Sequence, residues 1–306
     1  MRHYLEYVLF RGFKWFVLLM PLRSAQRVGS TLGLVTYYCY SSRRAVALDN
    51  LRHAFPEKSE EERAAIAKGA FRSYGIVLAE LLWFPNLNDE IMRKLVRFDD
   101  VEVMKRAHEK GKGVIMLSGH FGNWELVGLA CGYLSGLRCD IIVQTQSNKL
   151  VDDIINRHRC RFNNNVVPMG MSIREILRTL SEGGVIGLAG DQSGAKESAY
   201  IEFFGRKAST HKGPAAFALR AGAPLMFNSL IRHADGTYHI EIQEIPAHDI
   251  ASNTEENVVE LTRRHTAVLE EYIRKYPEQW LWMHRRWKYT LADGQPEINA
   301  REAVHA

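Results

Sequence analysis

Apolar positions recur along this chain in two rhythms. Over Arg43–Phe55 and Glu60–Trp83 they return every three or four residues, the spacing of one helical face. Ser59 with Glu62 three places on adds a capping box at the start of the second segment, and Pro56 and Pro85 punctuate the pair. Short apolar runs follow at Val114–Leu117, Asp140–Gln144, Val185–Leu188, Pro224–Leu230 and Tyr238–Ile245, with helical stretches between most of them. Such runs fit buried strands. Intervening helices predict parallel pairing, with an antiparallel hairpin at Asp235-Gly236. The expected fold class is α/β, a central mixed β-sheet flanked by helices.

The N-terminus has a different pattern. Tyr4–Leu22 is apolar and aromatic apart from Glu6, Arg11 and Lys14, and Pro21 marks its stop. Three charges make spanning a bilayer costly, and the uncharged stretch Trp15–Leu22 is too short to cross. A helix lying in the interface fits better, with Trp15 and Phe16 immersed and Arg11 and Lys14 reaching phosphates. No small-residue cleavage site follows Pro21 cleanly. A buried core helix of a soluble protein is the alternative. Val28–Tyr40 reads as a return arm or the wall of an acyl groove. We therefore expect membrane-associating helices over 1–40, a main domain over 41–290, and a polar, frayed tail over 291–306.

Composition narrows the partners. The 306 residues are 46% hydrophobic and 25% charged with a formal net charge of +5, ordinary values for a globular chain. No basic run combines with a nucleic-acid motif, so nucleic acid is not expected as a partner; anionic headgroups, a phosphorylated glycolipid or an acidic carrier protein suit the charge. Cys39, Cys131, Cys139 and Cys160 form no CxxC pair, which predicts reduced thiols and a cytoplasmic setting. We expect no metal and no cofactor.

The most informative segment runs from Gly113 to Glu125. A strand ending in Ser118-Gly119 leads into a turn and a helix, placing His120 at the lip of the sheet. Histidine is the side chain suited to accepting a hydroxyl proton near neutrality, and a carboxylate on its other ring nitrogen would fix the tautomer. Glu125 is the expected orienter. Residues five apart on one helix sit about 140° from each other, so the pair works only if His120 precedes the helix. Gly122 and Asn123 would offer helix-start amides to an oxyanion. The competing reading makes Gly122 an N-cap, Glu125 a third helical residue in a partial capping box, and His120 a polar turn residue.

Other candidates are fainter. Arg157 and Arg161 share a helix face while Arg159 points elsewhere; one of the three could hold a phosphate or an oxyanion, or all could merely solvate the helix. Asp191-Gln192 follows a second glycine-ended strand in the same position as His120, and could orient catalytic groups, bind the acceptor, or form an Asx turn. Trp280, Trp282 and Trp287 interleave with Arg285, Arg286 and Lys288, which suits headgroup depth or stacking within a folded C-terminus.

His120-Phe121-Gly122-Asn123-Trp124-Glu125 resembles the His-x4-Glu motif of the bacterial late acyltransferases of lipid A biosynthesis, within the His-x4-Asp/Glu glycerolipid acyltransferases. Asn50-Leu51, Asp191-Gln192, Phe203-Phe204-Gly205, Gly213-Pro214-Ala215-Ala216 and Tyr276 to Lys288 carry the likeness over residues 1 to about 290. One departure is Asn163, where relatives commonly carry glycine. The resemblance implies a glycerolipid acyltransferase-like fold and acyl transfer from acyl carrier protein or acyl-CoA to a membrane glycolipid, with His120 and Glu125 catalytic. It further implies Gly122, Asn123, Arg159, Asp191 and Gln192 in substrate binding, without a metal or cofactor, at the cytoplasmic face of the bacterial inner membrane. A lysophospholipid, an ornithine-type lipid or a glycosylated phosphatidylinositol are alternative acceptors. A thioesterase and a non-catalytic lipid-binding protein are the rival classes.

Overall fold

The computed structural model describes residues 1–98, 102–170, 173–250, 252–292 and 295–298. Four helices open the chain: α1 (Arg2–Leu18), α2 (Leu22–Cys39), α3 (Ser41–Ala54) and α4 (Glu60–Trp83). Pro21 ends the first apolar segment as expected, by serving as the N-cap of α2. The predicted capping box is made in both directions: Ser59 Oγ accepts from Glu62 N–H, and Glu62 accepts from Ser59 N–H.

The strands are β1 (Val96–Phe98), β2 (Val114–Ser118), β3 (Cys139–Val143), β4 (Asn164–Pro168), β5 (Val185–Ala189), β6 (Ala199–Phe203), β7 (Arg206–Thr210), β8 (Leu225–Arg232), β9 (Tyr238–Glu244), β10 (Tyr289–Ala292) and β11 (Gln295–Ile298). Between and after them run α5 (Asp89–Leu95), α6 (Glu102–Glu109), α7 (Trp124–Ser135), α8 (Lys149–Arg159), α9 (Ile173–Ser181), α10 (Gly213–Ala221) and α11 (Glu255–Lys275). A seven-stranded sheet has the order β1-β9-β8-β2-β5-β3-β4. Its β8, β2, β5, β3 and β4 run parallel; β9 turns back on β8 through the Asp235-Gly236 hairpin, so the sheet is mixed. β2 lies between β8 and β5 and is buried along its whole length, the usual fate of a parallel central strand.

A second, four-stranded sheet has the order β11-β10-β7-β6. Its β10–β11 hairpin occupies part of the tail expected to fray; residues 299–306 lie outside the described set. The indoles of Trp280, Trp282 and Trp287 are at most 2% exposed, and Arg286 lies 4.9 Å from the Phe203 ring centroid. The C-terminal aromatic segment is therefore core, not a headgroup surface. At the other end of the chain Tyr4, Leu5, Val8, Leu9, Trp15, Phe16 and Leu19 of the α1 segment and Leu32, Val35 and Tyr38 of α2 are exposed. Among the described residues no helix is long and apolar enough to cross a membrane.

Candidate active site

The parallel register of β2 and β5 builds the centre of the site. Ser118 pairs with Ala189, and Gly190 N–H donates to Ser118 O, so the next residues along each strand, Gly119-His120 and Gly190-Asp191, leave the sheet side by side. His120 Nδ1 lies 2.7 Å from Asp191 Oδ1, and His120 N–H donates to Asp191 Oδ2 at 2.8 Å. Trp280 Nε1–H donates to the same oxygen at 2.9 Å. With Nδ1 facing a carboxylate, the ring's proton belongs on Nδ1 and Nε2 is left as the free base. Gln192 Nε2 stands 3.4 Å from that nitrogen.

Electrostatics follow the geometry. Burial lowers the basicity of His120, yet the charge and hydrogen bond of Asp191 outweigh it and hold the imidazole above its ordinary value, with Glu125 assisting and Arg159 opposing. Burial of Asp191 works against ionisation, but His120 and the donors around its oxygens keep its carboxyl far below the usual carboxylate range.

Glu125 was the expected partner of His120, and here the structure differs. The Glu125 carboxylate turns to Arg159, which binds it with two hydrogen bonds, Nε to Oε2 at 2.8 Å and Nη2 to Oε1 at 2.6 Å. The fork-shaped guanidinium matches both oxygens at once, a contact the imidazole cannot equal. The side chains are 13% and 11% exposed. Of the other arginines considered, Arg161 donates to the carbonyls of Phe84 and Leu87, a structural role, and Arg157 is exposed.

Gly122 and Asn123 are likewise placed otherwise than expected. Gly122 N–H already donates to Gln279 O at 2.8 Å, so that amide is not free for an oxyanion. Gly122 has φ +58°, and a Cβ there would stand 1.7 Å from Leu230 O; the residue is a glycine because the corner touches β8 backbone. Asn123 is fully buried and acts as N-cap of α7, its Oδ1 accepting from Glu125 N–H and Leu126 N–H. The corner is also held from the C-terminal segment, where Leu281 N–H donates to His120 O and Phe121 bridges to Trp280.

His120, Trp124, Glu125, Arg159 and Gln192 line a cavity of about 310 Å³. Further back along the strands its wall is apolar, formed by Met116, Ile141, Gly187 and Leu188 with Val127 and Gly128 of α7. Reactive groups thus gather at the carboxyl ends of parallel strands, with an apolar recess behind them.

The sequence reading offers Asp191 as an orienter of catalytic groups but assigns the ring of His120, 71 residues away, to Glu125. The signal was there: Val114-Ile-Met-Leu-Ser-Gly-His120 and Val185-Ile-Gly-Leu-Ala-Gly-Asp191 share one pattern, as two neighbouring strands with corresponding ends would. Trp280 as a donor to Asp191 left no such trace.

The model of the bacterial lipid A biosynthesis acyltransferase family matches residues 1–289. The lipid A biosynthesis palmitoleoyltransferase of Escherichia coli (strain K12) is 28% identical over 286 residues, 90% of this chain and 89% of that protein. The lauroyltransferase of the same organism is 26% identical over 294 residues, 93% and 92% of the two chains. A phosphatidylinositol mannoside acyltransferase of Mycobacterium tuberculosis is 23% identical over 235 residues, 74% and 71%. With a match across nearly its whole length and a histidine at the mouth of an apolar recess, this chain belongs to the bacterial lipid A biosynthesis acyltransferases.

Proposed function

We propose that the enzyme moves a fatty acyl chain from a thioester of acyl carrier protein or coenzyme A to a hydroxyl of a lipid A precursor, with His120 as general base and Asp191 as its orienter. The observation that carries this reading is that His120 lines the cavity with Nδ1 held by Asp191, which leaves Nε2, with Gln192 beside it, as the unprotonated nitrogen. The acceptor hydroxyl gives its proton to Nε2 as its oxygen attacks the thioester carbonyl carbon. The tetrahedral intermediate collapses, the carbon–sulfur bond breaks, and the imidazolium returns the proton to the departing sulfur. Asp191 stays ionised throughout and stabilises the imidazolium. The Glu125–Arg159 pair lines the cavity beside His120 as a mutually neutralised unit that shapes the mouth of the reacting centre. The acyl chain lies in the apolar recess.

His120→Ala should lower transfer by about 10³-fold or more, and because it also deprives the buried Asp191 of its ring partner, the melting temperature is measured beside the rate so that activity is compared on folded protein. Retained turnover would reject the mechanism. Mass spectrometry of total lipids from cells with and without the enzyme identifies the acceptor: one missing acyl chain on lipid A supports this reading, and one missing from a phospholipid or a glycosylated phosphatidylinositol replaces it.

The exposed apolar face of α1 and α2 supports docking on the cytoplasmic leaflet of the inner membrane. Trp15→Ser, Phe16→Ser and Leu19→Ser combined should weaken liposome flotation by at least about tenfold, since each large apolar group buried is worth roughly 1.5–3 kcal/mol. Unchanged flotation would remove α1 from the docking surface.

A further inference from the structure

Glu80 of α4 is 1% exposed and lies off the cavity, so the transfer chemistry gives no reason for a carboxylate there. Burying one is costly unless its oxygens are matched. Here they are. Gln26 Nε2 donates to Oε1 at 2.6 Å, Tyr238 OH donates to Oε2 at 2.6 Å, and Asn123 Nδ2 donates to Oε2 as well. Burial pushes the Glu80 carboxyl above its ordinary value, and Arg232, bonded to the same tyrosine hydroxyl through Nε at 3.0 Å, offsets part of that with nearby positive charge.

The contact with Asn123 has a directional effect. An amide that gives its nitrogen to Glu80 must present its oxygen the other way, and that oxygen caps α7 by accepting from Glu125 N–H and Leu126 N–H. The helix so capped carries Glu125 in its first turn, and the chain entering it carries His120. Glu80 therefore fixes which way the cap faces, and with it the start of the helix relative to the base.

The other oxygen leads outward. Gln26 sits on α2, and its Nε2 also donates to Gly236 O at 3.0 Å. α2 packs directly on α4, backbone against backbone: a Cβ at Gly29 would stand 2.4 Å from Gly75 O, and one at Gly33 2.1 Å from Phe71 O. The helix that exposes Leu32, Val35 and Tyr38 is thus tied to the catalytic corner by the buried path Gln26–Glu80–Asn123.

We propose that Glu80 is a positioning residue for acyl transfer, and that through Gln26 the N-terminal helix α2 supports the catalytic corner as well as offering an outer surface. The proposal rests on the transferase reading above. Full-length variants are assayed in detergent micelles with an acyl carrier protein thioester and a lipid A precursor. Glu80→Gln should lower kcat by about tenfold or more with KM within about twofold, and Gln26→Leu should lower kcat about three- to tenfold. A pure anchoring role for α2 would act on KM instead. Combining Glu80→Gln with Asn123→Asp moves the carboxylate to the capping position and lets the new amide at 80 donate to it, which should restore most of the lost kcat. Wild-type kcat in Glu80→Gln, or a loss that follows the melting temperature and is not restored by the exchange, overturns the proposal.

Hydrogen–deuterium exchange provides a readout that does not depend on activity. In Gln26→Leu the amides of Glu125 and Leu126 should exchange about tenfold faster than in the wild type. Unchanged protection there refutes the path from α2. A wild-type enzyme inactive on the lipid A precursor would instead count against the functional reading, with the exchange data still deciding the path.

Discussion

Replacing Asp191 by asparagine tests the central contact most directly. The carboxylate accepts three donors, His120 Nδ1–H, His120 N–H and Trp280 Nε1–H, and is 3% exposed. An amide has the same shape but only one accepting oxygen. One side of Asp191→Asn must then face a donor with a donor, which costs roughly 1–3 kcal/mol of stability for an unmatched buried group. The kinetic loss should be larger. Without the carboxylate nothing holds the ring proton on Nδ1, and comparable triads lose about 10⁴-fold in kcat from the same exchange.

The pH profile provides a second, independent sign. His120 must be neutral to accept a proton, and its folded pKa is raised above 6.5, so wild-type kcat/KM should rise along an acid limb centred above 6.5. In Asp191→Asn the attraction is gone while burial, the largest influence on the ring, remains, so the limb should move to lower pH. Stability follows the same linkage. The raised histidine favours the fold below its unfolded pKa, and this contribution fades as pH rises through the folded value. The lowered aspartate favours the fold above about 3.8, and its contribution fades as pH falls through the folded value. The assay is acyl transfer across pH, with Glu125→Gln run in parallel. If Glu125→Gln shifts the limb and Asp191→Asn leaves both limb and rate unchanged, Asp191 is not the orienter and that role returns to Glu125.

Two further substitutions test the surroundings of the base. Gly187→Val would place a side chain in the apolar recess, where a Cβ meets Cys139 Sγ at 3.4 Å without clash; the preferred donor should shorten by about two carbons, each methylene being worth roughly 0.8 kcal/mol, and an unchanged product mass would mean the chain lies elsewhere. Gly122→Ala forces a Cβ against Leu230 O at a positive φ, so denaturant titration should show a loss of at least about 2 kcal/mol; wild-type stability would show that the corner is not held against β8.

Local signals carried much of the fold. Helix α4 was legible because a capping box and two prolines mark its limits, and β2 and β5 because buried parallel strands are continuous apolar runs. The β6–β7 hairpin was not. Its turn is Phe204-Gly205, both at positive φ (52° and 71°), a conformation usually announced by Asn-Gly or Asp-Gly. β4 begins with two asparagines after Asn163 at φ 66° and ends in Pro168, which is tolerable only because the strand lies at the sheet edge. In the site, the residues were named and their partners were not. Glu125 was matched to His120 by proximity in sequence, while the sheet register delivered Asp191 to the ring and α8 delivered Arg159 to Glu125. Such pairings are tertiary, and spacing does not encode them.

The clasp between the histidine corner and residues 279–281 has a consequence for biosynthesis. Those residues are translated long after the histidine corner, and until they arrive Gly122 N–H lacks its acceptor, the carbonyl of His120 lacks its donor, and Asp191 Oδ2 lacks one of its two donors. A nascent chain can thus present α1 and α2 before it owns a competent base, and reactivity waits on the arrival of this later segment.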